Sequence, residues 1–133
     1  MDGSKLIMLI NTMEIREGRL AEFRESVERA VRFAEEHGPQ LMVNVYIDED
    51  NMRAQSVQLY PDSDAILPHW QLSDPYIKAV SENITVRRLQ YFGQPDERVM
   101  NGVTPISREG VELTVTPHLT GYARFPAAAL TGE

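Results

Sequence analysis

A chain of 133 residues with 42% hydrophobic content is long enough for one ordinary core, since a domain near this size buries about two-thirds of its unfolded surface. Thirteen basic against twenty acidic residues give a net charge of -7, which disfavours nucleic acid or an anionic membrane surface as partner unless a basic patch outweighs the total, and none appears. Cysteine is absent, which excludes disulfides, thiolate nucleophiles and cysteine-ligated metal clusters; with an N-terminal apolar run too short to span a bilayer, the chain reads as soluble and cytoplasmic.

Lys5 to Ile15 is rich in Leu, Ile and Met and shows no helical period, which predicts a strand. Pleating separates Ile7, Leu9, Asn11 and Met13 from Leu6, Met8, Ile10 and Thr12. Both rows are mostly apolar, so a central strand covered on both faces is expected. From Leu20 to Glu36 the apolar residues Leu20, Phe23, Val27, Ala30, Val31 and Ala34 recur every three or four positions, the pattern of an amphipathic helix. His37, Gly38 and Pro39 stop it, with glycine expected in the left-handed closing conformation and His37 beside the C-terminal dipole. Leu41 to Asp48 and Arg53 to Tyr60 read as an antiparallel hairpin across Glu49, Asp50 and Asn51.

Asp62 to Leu72 predicts a short helix opened by Asp62 or Ser63. Ser73 and Asp74 before Pro75 read as the cap of a second segment reaching about Ile84, so PHWQLSDPYIKAV (68–80) is expected as a broken helix with Ser73 as a cap. Thr85 to Gly93 alternates as a fourth strand. Beyond it, Asp96 to Pro105 reads as a loop, and Val111, Leu113 and Val115 alternate with polar residues as a strand, with Leu119 to Phe125 as its hairpin partner across Pro117 and His118. AAALTGE at the end is expected to be disordered. The division is a domain over 1–95 and a C-terminal extension over 96–133, packed on the same domain or on a partner subunit.

The order β-α-β-β-α-β is the split βαβ, ferredoxin-like arrangement of the α+β class, with four antiparallel strands in one sheet and both helices on one face. The other face, carrying Leu6, Met8 and Ile10, would be left bare, and sheet-on-sheet packing in a homodimer is the simplest cover. No phosphate-binding glycine loop, HExxH, GxSxG or paired-histidine spacing is present. A helix carrying His69 and the single tryptophan, Trp70, over a sheet face with Leu9, Asn11 and Met13 has the makings of an apolar pocket with a few convergent polar groups.

At this point the sequence resembles a family, the antibiotic biosynthesis monooxygenase type of dimeric α+β barrel. The resemblance covers about residues 5–93: a first strand leading into REGRLAEF, the strand pair, PHWQLSDPYIKAV with its His69-x-x-x-Ser73, then RRLQYFGQP. It implies a dimer and a small-molecule activity, drawn from cofactor-free oxygenases of quinols and polycyclic phenols, isomerases and haem-degrading enzymes. The haem-degrading branch implies an Asn on strand one, matched by Asn11, a Trp in the second helical region, matched by Trp70, and an iron-ligating His ten residues further on. Val80 stands there, and valine cannot coordinate iron.

Cofactor-free oxygenation needs a substrate that loses a proton, because the electron-rich anion then passes an electron to dioxygen without metal or flavin. A base with pKa near neutrality meets that need, and His69 is the candidate. Asn11 is the candidate hydrogen-bond partner of a developing oxyanion or peroxide. Trp70 with one of Tyr91 and Phe92, which face opposite sides of a strand, would stack on a flat ring, beside Leu9 and Met13. Plainer roles stand beside these: a core anchor for Trp70, a backbone-held ring for His69, a structural bridge for Asn11. The expectation is a monooxygenase taking a small aromatic molecule and dioxygen with no cofactor and no metal. Haem handling and non-catalytic ligand binding, as in a stress-response protein of the same fold, are the alternatives.

Overall fold

The computed structural model describes residues 5–107 and 110–124. Its elements run β1 (Ile7–Ile15), α1 (Leu20–His37), β2 (Met42–Asp48), β3 (Arg53–Tyr60), a 3₁₀ turn (Ser63–Ala65), α2 (Ile66–Ser81), β4 (Ile84–Phe92), α3 (Glu97–Ser107) and β5 (Glu112–Thr116). The strands form one sheet in the order β2-β3-β1-β4-β5, antiparallel from β2 to β4 and parallel between β4 and β5. The expected ferredoxin-like α+β unit is thus present, with β1 at its centre. Among the described residues no helix is long and apolar enough to cross a membrane.

Register decides what faces the helices. Leu9, Asn11 and Met13 stand opposite Gln58, Ser56 and Ala54 on β3, and Leu9 and Asn11 stand opposite Tyr91 and Leu89 on β4. A bulge between Thr12 and Met13 shifts the β4 register, so Val86 and Ile84 continue the same row and Arg87 is the extra residue. Ile7, Leu9, Met13 and Ile15 are buried, whereas Met8 and Ile10 are half-buried. Only one row of the central strand is therefore closed off within a single chain. The inner row joins Phe23 of α1, Ile66 of α2 and Val99 and Val103 of α3 in two apolar clusters.

Four local expectations are corrected. Gly38 is extended (φ -84, ψ 160) rather than left-handed, and the side chain it lacks matters elsewhere: a Cβ there would lie 2.3 Å from Gln40 Oε1. The helix over 66–81 is continuous, with Pro75 inside it. Proline removes one intrahelical hydrogen bond, but Ile66, Trp70 and Val80 pack on the sheet as the face of a single rod. Ser73 is accordingly not a cap; Asp62 caps the preceding turn by accepting from Ala65 N at 3.1 Å. Residues 96–105 are expected as a loop, but Glu97–Ser107 form α3, opened by Asp96 Oδ1 accepting from Val99 N at 3.1 Å.

The expected C-terminal hairpin is corrected as well. Residues 112–116 form a strand, but it pairs in parallel with β4, and 119–124 form no second strand. Instead Pro117, His118, Gly121 and Tyr122 share a cleft with Leu6, Met8, Leu59 and Phe92, so the outer face is partly covered by the chain itself. Phe125 and the AAALTGE tail lie outside the described residues.

Gly102 explains why α3 escapes a reading of its sequence. A Cβ there would lie 2.4 Å from Trp70 Cζ3, so the glycine that weakens the helix pattern is the one that lets α3 close on the tryptophan. On a free helix surface Gly→Ala stabilises by about 0.5–1 kcal/mol. Here the sign inverts: Gly102→Ala should destabilise by about 1–3 kcal/mol through overpacking. Urea unfolding measures it, and a raised midpoint would show that α3 does not lean on Trp70.

Candidate active-site cavity

A cavity of about 420 Å³ lies between the inner face of the sheet and the helices. Its floor is Leu9, Asn11 and Met13 of β1, Ser56, Gln58 and Tyr60 of β3, and Val86, Leu89 and Tyr91 of β4; α2 supplies His69, Trp70, Ser73 and Val80, and α3 supplies Gly102 and Val103. Six of the residues singled out from the sequence, Leu9, Asn11, Met13, His69, Trp70 and Tyr91, meet here. Phe92 does not. It stands opposite Met8 on the outer row and lines the cleft under the C-terminal segment, so the aromatic lining of the inner cavity is Tyr91 and Trp70 with Tyr60 and Tyr76 beside them.

Polar groups cross the cavity as a chain. Tyr60 OH donates to Gln58 Oε1 at 2.7 Å, and Gln58 Nε2 donates to Ser56 Oγ at 3.1 Å. These three side chains occupy alternate positions of one strand and so share its inner face. At the other end Gln40 Nε2 lies against the His69 ring, 2.9 Å from Nε2 and 3.3 Å from Nδ1, and Ser73 Oγ lies 2.9 Å from His69 Nδ1. His69 and Ser73 are four apart on α2, one turn above each other. The Tyr60 and His69 rings meet at 5.9 Å between centroids. Gln40 enters from the linker between α1 and β2.

Burial makes this interior neutral. Desolvation holds His69 below its usual 6.5, so the ring is an uncharged imidazole at pH 7. Tyr91 is pushed up to about 12 by burial. Tyr60 is also raised well above its usual 10, first by burial and then by Tyr91, with the Gln40 amide opposing the shift. Among the described residues two buried acceptors, Asn11 Oδ1 and Gln40 Oε1, have no hydrogen-bond partner. Leaving such an oxygen bare costs about 1–3 kcal/mol, so both positions suit a ligand that brings hydrogen-bond donors.

Gln40, Ser56, Gln58 and Tyr60 are site residues that the sequence left unread, and Ser73, read as a cap and as part of the His69-x-x-x-Ser73 motif, joins them. A signal for three of them exists in SVQLY (56–60), where Ser56, Gln58 and Tyr60 alternate with Val57 and Leu59. Polar residues on the helix-covered face of an inner strand mark a polar cavity. Among the described residues no cluster of three or more His, Asp or Glu side chains is placed to hold a metal ion. His37 and His118 are exposed, away from the cavity.

No family model and no curated protein matches the sequence. Solved structures do match in fold. MupZ from Pseudomonas fluorescens aligns over 90% of this chain and 95% of its own, with a TM-score of 0.71 and 14% identity. SnoaB from Streptomyces nogalater, described as a cofactor-independent oxygenase, aligns over 69% of this chain and 95% of its own (TM-score 0.59, 16% identity). A candidate antibiotic biosynthesis monooxygenase from Caulobacter crescentus aligns over 71% and 94% (TM-score 0.59, 14% identity). This chain therefore shares the α+β fold found in antibiotic biosynthesis monooxygenase-like structures. The match to MupZ is long enough that it must extend past the βαββαβ unit into the C-terminal elements.

The neutral imidazole has a thermodynamic signature. The folded protein binds a proton at His69 less readily than the unfolded chain, whose ring titrates near 6.5, so stability is lost as pH falls below that value toward the folded pKa. Wild type should therefore lose more stability than His69→Gln, which has nothing to protonate at 69, when the pH is lowered from about 7 to about 5. Paired urea titrations at the two pH values isolate the effect from the carboxylates common to both proteins. Equal losses would contradict the burial of a neutral ring.

Proposed function

We propose that this protein is a cofactor-independent monooxygenase that oxidises a small electron-rich aromatic, quinol-like molecule with dioxygen. The observation that carries the reading is Asn11 Oδ1, a buried acceptor without a partner, on the same cavity as an uncharged His69 and two aromatic walls. Fold likeness to a cofactor-independent oxygenase supports it, but fold alone does not specify chemistry.

The cavity residues suit each step. A phenol in its keto form presents a ring CH2 whose proton His69 accepts, since the imidazole is unprotonated at neutral pH. The resulting anion is held among neutral dipoles, with Asp74 at the exposed margin of the cavity paired to Lys78, and it passes one electron to dioxygen. Recombination forms a C–O bond and a hydroperoxide, whose O–H finds an acceptor in Asn11 Oδ1 while the amide N–H groups face the neighbouring oxyanion. Loss of water leaves a carbonyl, so CH2 and O2 become C=O and H2O and all four electrons are accounted for. Trp70 and Tyr91 flank the ring and keep water out.

A haem-handling role has less support. Val80, at the position where the related branch would carry its iron ligand, lines the cavity with no donor atom, and His69 Nδ1 is engaged by Ser73. Soret absorbance on hemin titration is its direct test.

A homodimer belongs to the same proposal. Met8, Ile10, Val57, Leu59 and Phe92 share the outer face by register, and a second copy packed there would cover what the C-terminal segment leaves open. A cytoplasmic location fits this reading.

Oxygen uptake with a panel of quinols and phenols tests the activity. Asn11→Ala should lower kcat/KM about 100- to 1,000-fold, and His69→Ala about 100- to 10,000-fold, with the fold retained by circular dichroism. The wild-type rate should be level through neutral pH and fall in acid with a midpoint below 6.5. Wild-type turnover in both variants would reject the assigned roles, and no uptake with any member of the panel would leave a ligand-binding protein.

A further inference from the structure

Three side chains of β3 pass hydrogen bonds in one direction and leave one hydrogen over. Tyr60 OH donates to Gln58 Oε1 at 2.7 Å. The Gln58 amide nitrogen can only donate, and its acceptor is Ser56 Oγ at 3.1 Å. The Ser56 hydrogen therefore points away from Gln58, and among the described residues no acceptor is placed for it. Turning the Gln58 amide over would reverse both links and move the spare hydrogen to Tyr60. Tyr60 is 1% exposed against 8% for Ser56, so the observed direction leaves that hydrogen at the less deeply buried end of the chain, on the cavity floor. A buried hydroxyl hydrogen without an acceptor costs free energy, which a ligand bringing an acceptor recovers.

Asn11 stands opposite Ser56 across the β1–β3 ladder. Its Oδ1 is a buried acceptor with no donor, and both side chains face the same cavity. An unfilled donor and an unfilled acceptor thus lie on neighbouring strands of one floor without satisfying each other. Directly opposed residues of an antiparallel pair stand about 5 Å apart, close enough for both side chains to act on one small ligand while His69 faces it from α2.

We infer that Ser56 is a substrate-binding residue that donates a hydrogen bond to a carbonyl oxygen of the ligand, with Gln58 and Tyr60 as positioning residues that keep its hydrogen turned to the cavity. The ligand class is an aromatic ketone, the keto form of a phenol included, a choice that rests on the oxygenase reading and deepens it. When His69 takes a proton from a carbon conjugated with that carbonyl, negative charge gathers on the oxygen Ser56 already holds. The hydrogen bond strengthens as the charge develops, since one to an ionised acceptor is roughly twice as strong as one to a neutral acceptor, and an interaction that grows in this way accelerates the step instead of only tightening binding. Asn11 Oδ1 is left for the O–H of the hydroperoxide. The donor comes from β3 and the acceptor from β1, and the ladder holds the two in register.

1-Tetralone, a fused aromatic ketone, and tetralin, the hydrocarbon of nearly the same shape, probe the assignment in the absence of dioxygen. Trp70, the single tryptophan, reports their binding by its fluorescence from the cavity wall. Wild type should bind tetralone more tightly than tetralin, and Ser56→Ala should weaken tetralone binding about three- to tenfold while leaving tetralin binding unchanged. In isotope-edited infrared spectra of bound carbon-13-labelled tetralone, the carbonyl stretch should lie below its position in hydrocarbon solvent for wild type and move back up in Ser56→Ala. Tyr60→Phe keeps the ring and removes the first donor, so the Gln58 amide can turn its freed oxygen to the Ser56 hydrogen. The stretch should then rise partway, and in the double variant it should rise no further than in Ser56→Ala alone. No preference for the ketone in wild type, or a tetralone affinity and carbonyl stretch unchanged in folded Ser56→Ala, would overturn the inference. Additive effects of the two substitutions would overturn the positioning role of Tyr60. In turnover Ser56→Ala should lower kcat about 100-fold. Ser56-dependent ketone binding without oxygen uptake on any phenol would remove the oxygenase reading and leave the binding assignment standing.

Discussion

Burying an imidazole is tolerable only if it gives up its charge and finds partners for both nitrogens, and that constraint shapes the interior of this protein. Ser73 meets one nitrogen from a turn away on the same helix, and the Gln40 amide, from the linker ahead of β2, lies against the ring 2.9 Å from Nε2 and 3.3 Å from Nδ1. The same desolvation keeps Tyr60 and Tyr91 protonated. What results is a chamber whose buried part is made of uncharged groups, with Asp74 at its exposed margin, in which a proton-accepting nitrogen is stronger toward a bound donor than it would be in water. Such a chamber suits a neutral, flat molecule that becomes anionic only after it is enclosed.

The sheet makes the chamber possible through its period of two. Asn11 faces Ser56 across one ladder and Leu89 across the other, so the amide is fixed by the backbones of three neighbouring strands. The bulge after Thr12 resets the β4 register, so that Val86 and Ile84 face inward while Arg87 and Arg88 both stay outside. Arg87 pairs with Glu14 at 2.6 Å and Arg88 with Glu112 at 3.0 Å. Without that reset, the strict alternation of β4 would carry Arg87 into the cavity and place Val86 outside.

The C-terminal extension has two effects on opposite faces. The helix α3 closes one end of the chamber through Gly102 and Val103, and β5 adds Leu113 and Val115 to the inner apolar cluster. The segment after β5 turns to the outer face instead, beside Met8, Leu59 and Phe92. The extension thus bears both on the volume available to a ligand and on the surface a second copy would use.

The sequence alone determined the β-α-β-β-α-β order, the inward row of β1 and the meeting of Asn11, Trp70 and His69, because alternation and the 3.6-residue period are local and survive any tertiary context. It misjudged places where a local signal was overruled by packing. Pro75 and the Ser-Asp pair before it read as a helix start, yet one rigid helix buries Ile66, Trp70 and Val80 together. Gly102 read as loop because its purpose lies in a tryptophan thirty-two positions away. Gly38 read as a left-handed cap because nothing local announces a glutamine folding over it. Ser73 reaches His69 through the helical period alone, but Gln40 and Tyr60 came to it only through the closure of the linker and of β3, which no periodicity within one segment encodes.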